Sequence, residues 1–300
     1  MSRKWCKALY QRRSLLCSVG DYLGLLSPSH RSINSASSSQ ILLRNDSDDK
    51  TIAALTLNRP AQYNALSSAL LDELQSTLDE LRQQDAVQVV IIRSAGEKAF
   101  CAGHDLNEMI GQDQQDLTEL FNKCSHVMTT LTHRLPQPVI AEVNGIATAA
   151  GCQLVASCDL AVASNTATFA VSGINVGLFC STPAVALSRN VLPRKHAMHM
   201  LLTGDFISAQ TAQQYGLVNQ VVPTAQLERT TMQLARKIAS KSPLAIRLGK
   251  EMFYKQLVID DLEEAYAFAA ERMASNMDAN DAREGIRAFL EKRKPEWKGT

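Results

Sequence analysis

The sequence predicts an α/β fold built around a mostly parallel β-sheet, followed by a helical C-terminal region. Between Thr51 and Ala163, short apolar runs typical of buried strands alternate with amphipathic helical segments. The strands are separated by stretches long enough for crossover connections, which parallel pairing requires. After residue 200 the apolar spacing becomes that of helices. The strand–helix units look like successive turns of a spiral, although they share no detectable sequence identity.

The first apolar segments predict a β-hairpin and a core-facing helix. Ile41–Leu57 is divided by the polar Asn45–Lys50, a pattern typical of a hairpin. Asn64 and Ser67 are candidates to cap a helix that extends to about Gln83, with leucines at helical spacing on one face. The segments predicted next are a strand at Val87–Arg93, a loop at Ser94–Cys101, a helix restarting at Ala102–Leu106, a helix at Leu117–Leu135, and strands at Val139–Val143 and Leu160–Ala163.

The C-terminal part is predicted to be mainly helical. Its predicted elements are a short helix at Ser208–Tyr215, a strand at Leu217–Val222, and amphipathic helices at Ala225–Ser240, Leu244–Lys255, Asp261–Asn276 and Asp281–Arg293. These four helices need a surface on which to bury their apolar faces, and the core, a neighbouring subunit or both can supply it. We therefore divide the chain into an N-terminal segment at residues 1–44, an α/β core at 45–222 and a helical region at 223–300.

The N-terminal segment has the composition of a mitochondrial transit peptide. Residues 1–44 contain seven Lys or Arg, ten Ser and one acid, Asp21. A disordered basic tail is the alternative interpretation. If the segment is a transit peptide, the protein is expected in the mitochondrial matrix. Subtracting this segment from the 31 bases and 30 acids of the whole chain leaves 24 and 29, a net charge of −5. A mildly acidic domain argues against nucleic-acid binding.

Neither a metal site nor a membrane span is predicted. The seven cysteines form no CxxC pair and no zinc-like cluster with histidine. In a reducing matrix they are expected to be small buried apolar residues. The chain has no apolar run of about 18 residues, so no transmembrane helix is expected.

Val143–Asp159 is the stretch most suggestive of chemistry. It follows the predicted strand Val139–Val143, begins with the turn dipeptide Asn144-Gly145, and continues through small residues into a helix ending near Cys158. The first turn of a helix has unpaired N–H donors, and small side chains let a ligand oxygen approach them. Close packing between a helix and a strand also needs small residues, so this stretch alone leaves both interpretations open.

Several ordered motifs together resemble the crotonase (enoyl-CoA hydratase/isomerase) family over about residues 45–298. The motifs are Leu57–Pro60 with Asn64–Leu66, Phe100–Leu106, Val143–Gly145 with Ala149–Leu154 and Cys158-Asp159, Leu202–Asp205 with Ile207–Ala209, Gly216–Val218 and Gly285–Arg293. The resemblance implies a crotonase-like spiral of ββα units with a C-terminal helical trimerisation region. It also implies a homotrimer, or trimers paired into a hexamer.

The resemblance implies a site for acyl-CoA thioesters. In that family two backbone N–H groups hold the thioester oxygen and stabilise an enolate, and here they fall on His104 and Ala150. CoA is then part of the substrate, and no separate cofactor is expected. The His104 side chain is a second possibility, because methylmalonyl-CoA decarboxylases of the family have His at this position. The implied substrate-binding residues are Ala65, Ala102, Gly103, His104, Asp105, Leu106, Asn107, Ala150 and Gly151.

The sequence departs from the family where its carboxylates act. The positions of the two hydratase glutamates fall on Gln153 and Gly173, and that of the isomerase aspartate falls on Ser181. An amide cannot accept a proton at neutral pH, and losing one acid–base group costs about 10²–10⁴ in rate. The remaining candidates are weak: Asp105 is expected to be structural, Glu108 a solvated acid, and Cys180 has no activating partner nearby in sequence.

Three functions remain open. The first is an acyl-CoA-binding homologue in mitochondrial fatty-acid metabolism, with hydratase activity lost or weak. The second is an active decarboxylase or thioesterase that relies on the oxyanion hole. The third is RNA binding, because one crotonase relative binds RNA through a lysine-rich first helix. The corresponding helix here, Asn64–Gln83, has a single base, Arg82, which disfavours the third.

Overall fold

The strands form two β-sheets in the computed structural model, which describes residues 40–191 and 193–300. A six-stranded sheet has the order β1-β2-β3-β5-β7-β10, and a four-stranded sheet has the order β4-β6-β8-β9. The strands are β1 Leu42–Asp46, β2 Ile52–Leu57, β3 Val89–Ser94, β4 Ala99–Cys101, β5 Val139–Val143, β6 Ile146–Thr148, β7 Leu160–Ser164, β8 Thr168–Ala170, β9 Ile207–Ser208 and β10 Gln220–Val222.

Each turn of the chain contributes one strand to each sheet. The pairs β3 and β4, β5 and β6, and β7 and β8 are consecutive, and in each pair the first strand joins the larger sheet and the second the smaller. Pairing is parallel except between β1 and β2 and between β8 and β9. Helices follow each pair, so the implied spiral of ββα units is confirmed. The mostly parallel sheet is also confirmed, and the second, smaller sheet was not predicted because its strands are too short to show a period.

Helices cover both faces of the larger sheet. The α-helices are α1 Ser68–Leu81, α2 Leu106–Met109, α3 Gln114–Thr129, α4 Ala150–Ser157, α5 Ser181–Ala186, α6 Arg194–Thr203, α7 Ala209–Gln214, α8 Leu227–Ala239, α9 Pro243–Gln256, α10 Leu262–Met277 and α11 Asn280–Leu290. Strand β2 is buried along its whole length. Its Leu55 belongs to the main core with α1, whereas Ala54 packs in a second cluster with Leu227 of α8. Helix α8, which the sequence assigned to the C-terminal region, therefore completes the core.

Capping residues and apolar spacing predicted most of the helices close to their observed positions. Ser67 caps α1, accepting a hydrogen bond from Leu70 N at 3.2 Å. Asn64, the other capping candidate, instead bonds backbone carbonyls with its side chain. The helix predicted at Leu117–Leu135 is α-helical only to Thr129 and ends in a π-helical turn. The sequence missed β4, inside the predicted loop Ser94–Cys101, and also β8, α5 and α6.

The ends of the described region bear on the domain division. Strand β1 begins at Leu42, so residues 42–44 of the predicted transit segment pair with β2. The remainder of that segment, up to residue 39, lies outside the described residues, together with Cys6 and Cys17. The other five cysteines are buried and unbridged, as expected. None of the helices within residues 40–191 and 193–300 is long and apolar enough to cross a membrane.

Candidate functional site

Strands β4 and β6 bring the two predicted backbone segments into contact. These strands pair in parallel, Ala99 with Ile146 and Cys101 with Ala147, so the residues that follow them lie side by side. Gly103 lies so close to the second segment that an added Cβ would be 2.9 Å from the Ala149 Cβ and 3.3 Å from the Ala150 nitrogen. The two motifs, although far apart in the sequence, therefore form a single site.

The His104 N–H is held facing away from its neighbouring chain segment. Leu66 and His104 form an isolated parallel bridge, in which Leu66 N donates to Gly103 O at 2.7 Å and Asp105 N donates to Leu66 O at 3.2 Å. In such a bridge the central residue's own N–H points to the opposite side. Among the described residues, the His104 N–H has no acceptor.

The Ala150 N–H is the first donor of helix α4. The first intrahelical bond runs from Gln153 N to Ala149 O at 3.0 Å, so Ala150 N precedes the ladder and has no acceptor in the part of the chain that the structure describes. Ala149 adopts φ 50° and ψ −120°, a conformation that favours glycine. Gly151 allows the close approach of the two segments, because an added Cβ would lie 2.1 Å from Cys101 O. Two free, oriented N–H groups are what an oxyanion requires.

The side chains around His104 have structural duties that the sequence did not fully reveal. Asp105 is buried, accepts Asn107 N at 3.2 Å as the cap of α2, and pairs with Arg59 at 2.9 Å. Its predicted structural role is thus supported, and the same Arg59 also donates to Ala65 O at 2.6 Å. Glu108, which was expected to be a solvated acid, is half-buried, and its carboxylate accepts a hydrogen bond from Ser68 N at 2.7 Å and so caps α1. Arg59 was missed as a site residue, although it stands in the Leu57–Pro60 motif.

The His104 imidazole is neutral at physiological pH. Burial lowers its pKa from 6.5 to about 4. Both ring nitrogens are inaccessible to solvent and have no hydrogen-bond partner among the described residues. The ring lies edge-on to Phe121 of α3, with centroids 5.3 Å apart. A buried polar group without a partner costs about 1–3 kcal/mol, so the protein itself leaves both ring nitrogens unsatisfied.

The three positions without carboxylates lie in or beside elements α4 and α5. Gln153, one turn beyond Ala150 in α4, is 3% exposed, and its Oε1 has no partner among the described residues. Gly173 lies against its own loop, since an added Cβ would be 2.7 Å from Leu178 O and 2.8 Å from Cys180 Sγ. Ser181 is an exposed residue at the start of α5. Burial raises the pKa of the Cys180 thiol, which disfavours a thiolate nucleophile.

A second polar cluster is structural. Lys250 of α9 donates to Asp159 Oδ2 at 2.7 Å and to two backbone carbonyls, and its side chain is 6% exposed. Tyr254 donates to Asp159 Oδ1 at 2.9 Å. These bonds fasten α9 to the start of β7 and use all three ammonium donors. No group of three His, Cys, Asp or Glu side chains within the described residues is arranged to hold a metal ion.

Known proteins are similar to this chain in sequence and fold over most of their length. The human protein enoyl-CoA hydratase domain-containing protein 3, mitochondrial, is 51% identical over 247 residues, which span 82% of this chain and 80% of that protein. The crystal structure of an enoyl-CoA hydratase from Mycobacterium smegmatis matches with a TM-score of 0.83 at 51% identity, covering 86% of this chain and 99% of that one. The crystal structure of the human domain-containing protein 3 matches with a TM-score of 0.82 at 48% identity, covering 86% and 100%.

The sequence model of the enoyl-CoA hydratase/isomerase family matches residues 47–300, which include both halves of the site. The fold, the ordered motifs and the paired free N–H groups agree with this match. The chain therefore belongs to the enoyl-CoA hydratase/isomerase, or crotonase, family.

Proposed function

We propose that this chain binds acyl-CoA thioesters in mitochondrial fatty-acid metabolism, holding the thioester oxygen between the N–H groups of His104 and Ala150. The observation that carries the proposal is that two unpaired backbone donors lie on the two segments that come into contact where Gly103 meets Ala150. Such donors strengthen as negative charge develops on the bound oxygen. The exposed Asn107 and the adjoining backbone of Leu106 and Ala65 are proposed to contact the CoA arm.

Hydration of enoyl thioesters is proposed to be lost or weak. Gln153 has no carboxylate to accept a proton, and Gly173 has no side chain. Losing one acid–base group costs about 10²–10⁴ in rate, so losing both leaves little hydration. The direct test measures butyryl-CoA binding by calorimetry and crotonyl-CoA hydration by absorbance, both on the full chain. Binding with hydration far below that of an ordinary hydratase supports the proposal, whereas ordinary turnover refutes this part of it.

The structure refines how hydratase chemistry is best restored. Gln153→Glu changes no volume and places a carboxylate in α4, so this variant is expected to fold and to raise any residual hydration. Gly173→Glu must displace the Leu178 carbonyl and the Cys180 thiol, and Gly173→Ala is the control for that cost. If Gln153→Glu gains no activity while Gly173→Ala loses stability, the closed loop at residues 173–180 is the obstacle.

A decarboxylase or thioesterase is the second candidate function. The observation that favours it is the neutral His104 imidazole, whose buried nitrogens have no partner among the described residues. Such a ring can both donate and accept a hydrogen bond at a reacting acyl group. A panel of malonyl-type and saturated acyl-CoAs, followed for carbon dioxide and for free CoA, tests it. Turnover that is lost in His104→Leu establishes this function, and no turnover across the panel rejects it.

RNA binding has little support in the structure. Helix α1, Ser68–Leu81, contains no basic residue, and its Asp72 is paired with Lys123 of α3. Phosphate binding weakens with salt, so an RNA shift assay at increasing salt is sufficient. A salt-sensitive shift at micromolar protein would overturn the preference for the acyl-CoA function.

The C-terminal helices are proposed to mediate a homotrimer, alone or paired into a hexamer. Helix α10 exposes Leu262, Tyr266 and Met273 by 65–70%, and α11 exposes Phe289 by 83%. Exposed apolar faces of this kind mark interaction surfaces. Light scattering of the full chain should give a mass three or six times 32.9 kDa. A monomer would contradict the assembly without affecting the site.

Localisation in the mitochondrial matrix is proposed from the composition of residues 1–44. The name of the human relative includes the word mitochondrial, which supports the organelle, and the choice of the matrix rests on the transit-peptide composition. Import of the full chain into isolated mitochondria, followed by protease protection after the outer membrane is opened, distinguishes the matrix from the other compartments. A variant with the arginines at residues 3, 12 and 13 changed to glutamine is the matched control, and unchanged import of this variant would contradict the transit role.

A further inference from the structure

We propose that Arg59 polarises and positions the His104 N–H through a hydrogen-bonded chain of two peptide groups. The inference rests on the proposed function, because it assumes that this N–H holds the thioester oxygen. Arg59 follows β2 and does not itself supply either of the two donors. It is therefore a positioning residue rather than a catalytic one.

The chain of bonds can be followed atom by atom. Arg59 Nη1 donates to Ala65 O at 2.6 Å. The Ala65 carbonyl belongs to the same planar peptide group as the Leu66 N–H, which donates to Gly103 O at 2.7 Å. The Gly103 carbonyl in turn shares a peptide group with the His104 N–H. One guanidinium charge is thus connected, through two peptide groups, to one of the proposed thioester donors.

The geometry fixes the direction of the final donor. In a trans peptide the C=O and N–H point in opposite directions, so the bond from Leu66 to Gly103 O aims the His104 N–H away from Leu66. Gly103 has φ +95° and no side chain, so it would otherwise leave this peptide group free to rotate. A donor displaced by about half an ångström loses much of its value at an active site.

The charge strengthens the final donor. Arg59 and Asp105 are largely buried, with side chains 17% and 10% exposed, and Arg59 Nη2 donates to Asp105 at 2.9 Å. A guanidinium is a cationic donor, and consecutive hydrogen bonds in a low-dielectric interior polarise one another by about 10–30% per bond. In each of the two peptide groups, the hydrogen bond that the C=O accepts makes the N–H a stronger donor. The result is a stronger N–H for a developing negative charge.

The surroundings hold Arg59 rigidly in place. Its own N–H donates to Asn64 Oδ1 at 2.9 Å, while Asn64 Nδ2 donates to the carbonyls of Ala95 and Ala99, both at 2.9 Å. Tyr63 and Asn64 both adopt left-handed conformations, with φ of 51° and 54°. Backbone in this region costs about 1–3 kcal/mol per residue and persists where the surrounding structure over-determines it. The turn is therefore built to fix one geometry, as preorganisation requires.

The test is a spectroscopic measurement of the bound thioester carbonyl. Butyryl-CoA labelled with ¹³C at the carbonyl has no double bond to hydrate, and its isotope-edited infrared stretch falls as hydrogen bonds to the oxygen strengthen. In the wild-type full chain, binding should lower this frequency. In Arg59→Met the bound carbonyl frequency should move back toward the free value by about 10–30% of that shift. Arg59→Gln should have a similar effect, and Arg59→Lys a smaller one because lysine retains the charge. Saturating ligand removes any dependence of the reading on affinity.

Arg93 provides the matched control. It is similarly shielded, bonds Thr56 and pairs with Glu228, but it lies on the face of the larger sheet that α8 covers. Arg93→Met is expected to lower stability and leave the bound carbonyl frequency unchanged. If Arg59→Met does not fold, the comparison of Arg59→Gln with Arg59→Lys decides the question.

The possible results distinguish a failure of the Arg59 proposal from a failure of the proposed acyl-CoA function. No binding, or a bound wild-type carbonyl at the free frequency, refutes the proposed function and the relay with it. A wild-type shift that persists in full in the Arg59 variants refutes the relay alone. An equal loss in the Arg59 and Arg93 variants also overturns it, because a general loss of stability would then account for the change.

Discussion

The neutral, buried imidazole of His104 should make the stability of this protein depend on pH. Burial lowers the His104 pKa from 6.5 to about 4, so the folded protein resists protonation that the unfolded chain accepts. Between these values the unfolded state binds more protons, and the free energy of unfolding therefore falls as pH falls. The contribution is complete above about pH 6.5 and is lost as pH approaches 4.

The magnitude follows from the size of the shift. The full difference in pKa corresponds to about 3 kcal/mol, and about 2 kcal/mol of it is lost between pH 8 and pH 5. His104→Leu removes the titrating group and keeps an apolar side chain against Phe121, so this variant should lack that part of the slope. Subtracting one pH profile of the free energy of unfolding from the other cancels the contribution of every group that the substitution leaves unchanged.

Urea denaturation of both full chains at pH 5, 6, 7 and 8 measures the effect. The wild-type free energy of unfolding should drop by about 2 kcal/mol more than that of His104→Leu over this range. Parallel pH profiles would show that the imidazole exchanges protons as freely in the folded state as in the unfolded chain. The description of the His104 ring as buried, neutral and without a partner would then be wrong.

Two further substitutions test the packing of the site and the attachment of α9. Gly151→Ala should lower the free energy of unfolding by about 3 kcal/mol or more, because an added Cβ would lie 2.1 Å from Cys101 O. Gly249→Ala is the control and should not destabilise the protein, because an added Cβ there would meet no atom within 4 Å. Lys250→Met should cost about 3–5 kcal/mol by leaving the Asp159 carboxylate buried and unpaired. Chemical denaturation measures both, and adding Asp159→Asn to Lys250→Met should recover part of the loss if the unpaired charge is its cause.

Local patterns predicted the elements that are long or have distinctive ends. The leucine stripe of α1 and the cap at Ser67 were readable, since both depend on residues three or four positions apart. The apolar run of β5 and the small residues before α4 were equally clear. Strands β4 and β8 have three residues each, which is too few for a period to show. The division into two sheets was invisible for the same reason.

The sequence by itself determined the residue types available to the site. Its resemblance to the crotonase family implies backbone donors beside Gly103 and Gly151, and the sequence shows that position 153 is an amide. It also shows a mildly acidic chain beyond residue 44, which is unsuited to nucleic acid.

Only the tertiary structure decided how those residues act together. The bridge between Leu66 and His104 and the bond that connects Arg59 to Asp105 join residues 38 and 46 positions apart, and the local bond from Arg59 to Ala65 ties the same arginine to the strand-end turn. The same is true of Glu108, which caps a helix that begins 40 positions earlier. Periodicity records only neighbours along the chain, whereas these hydrogen bonds depend on where the spiral of ββα units places one turn against the next.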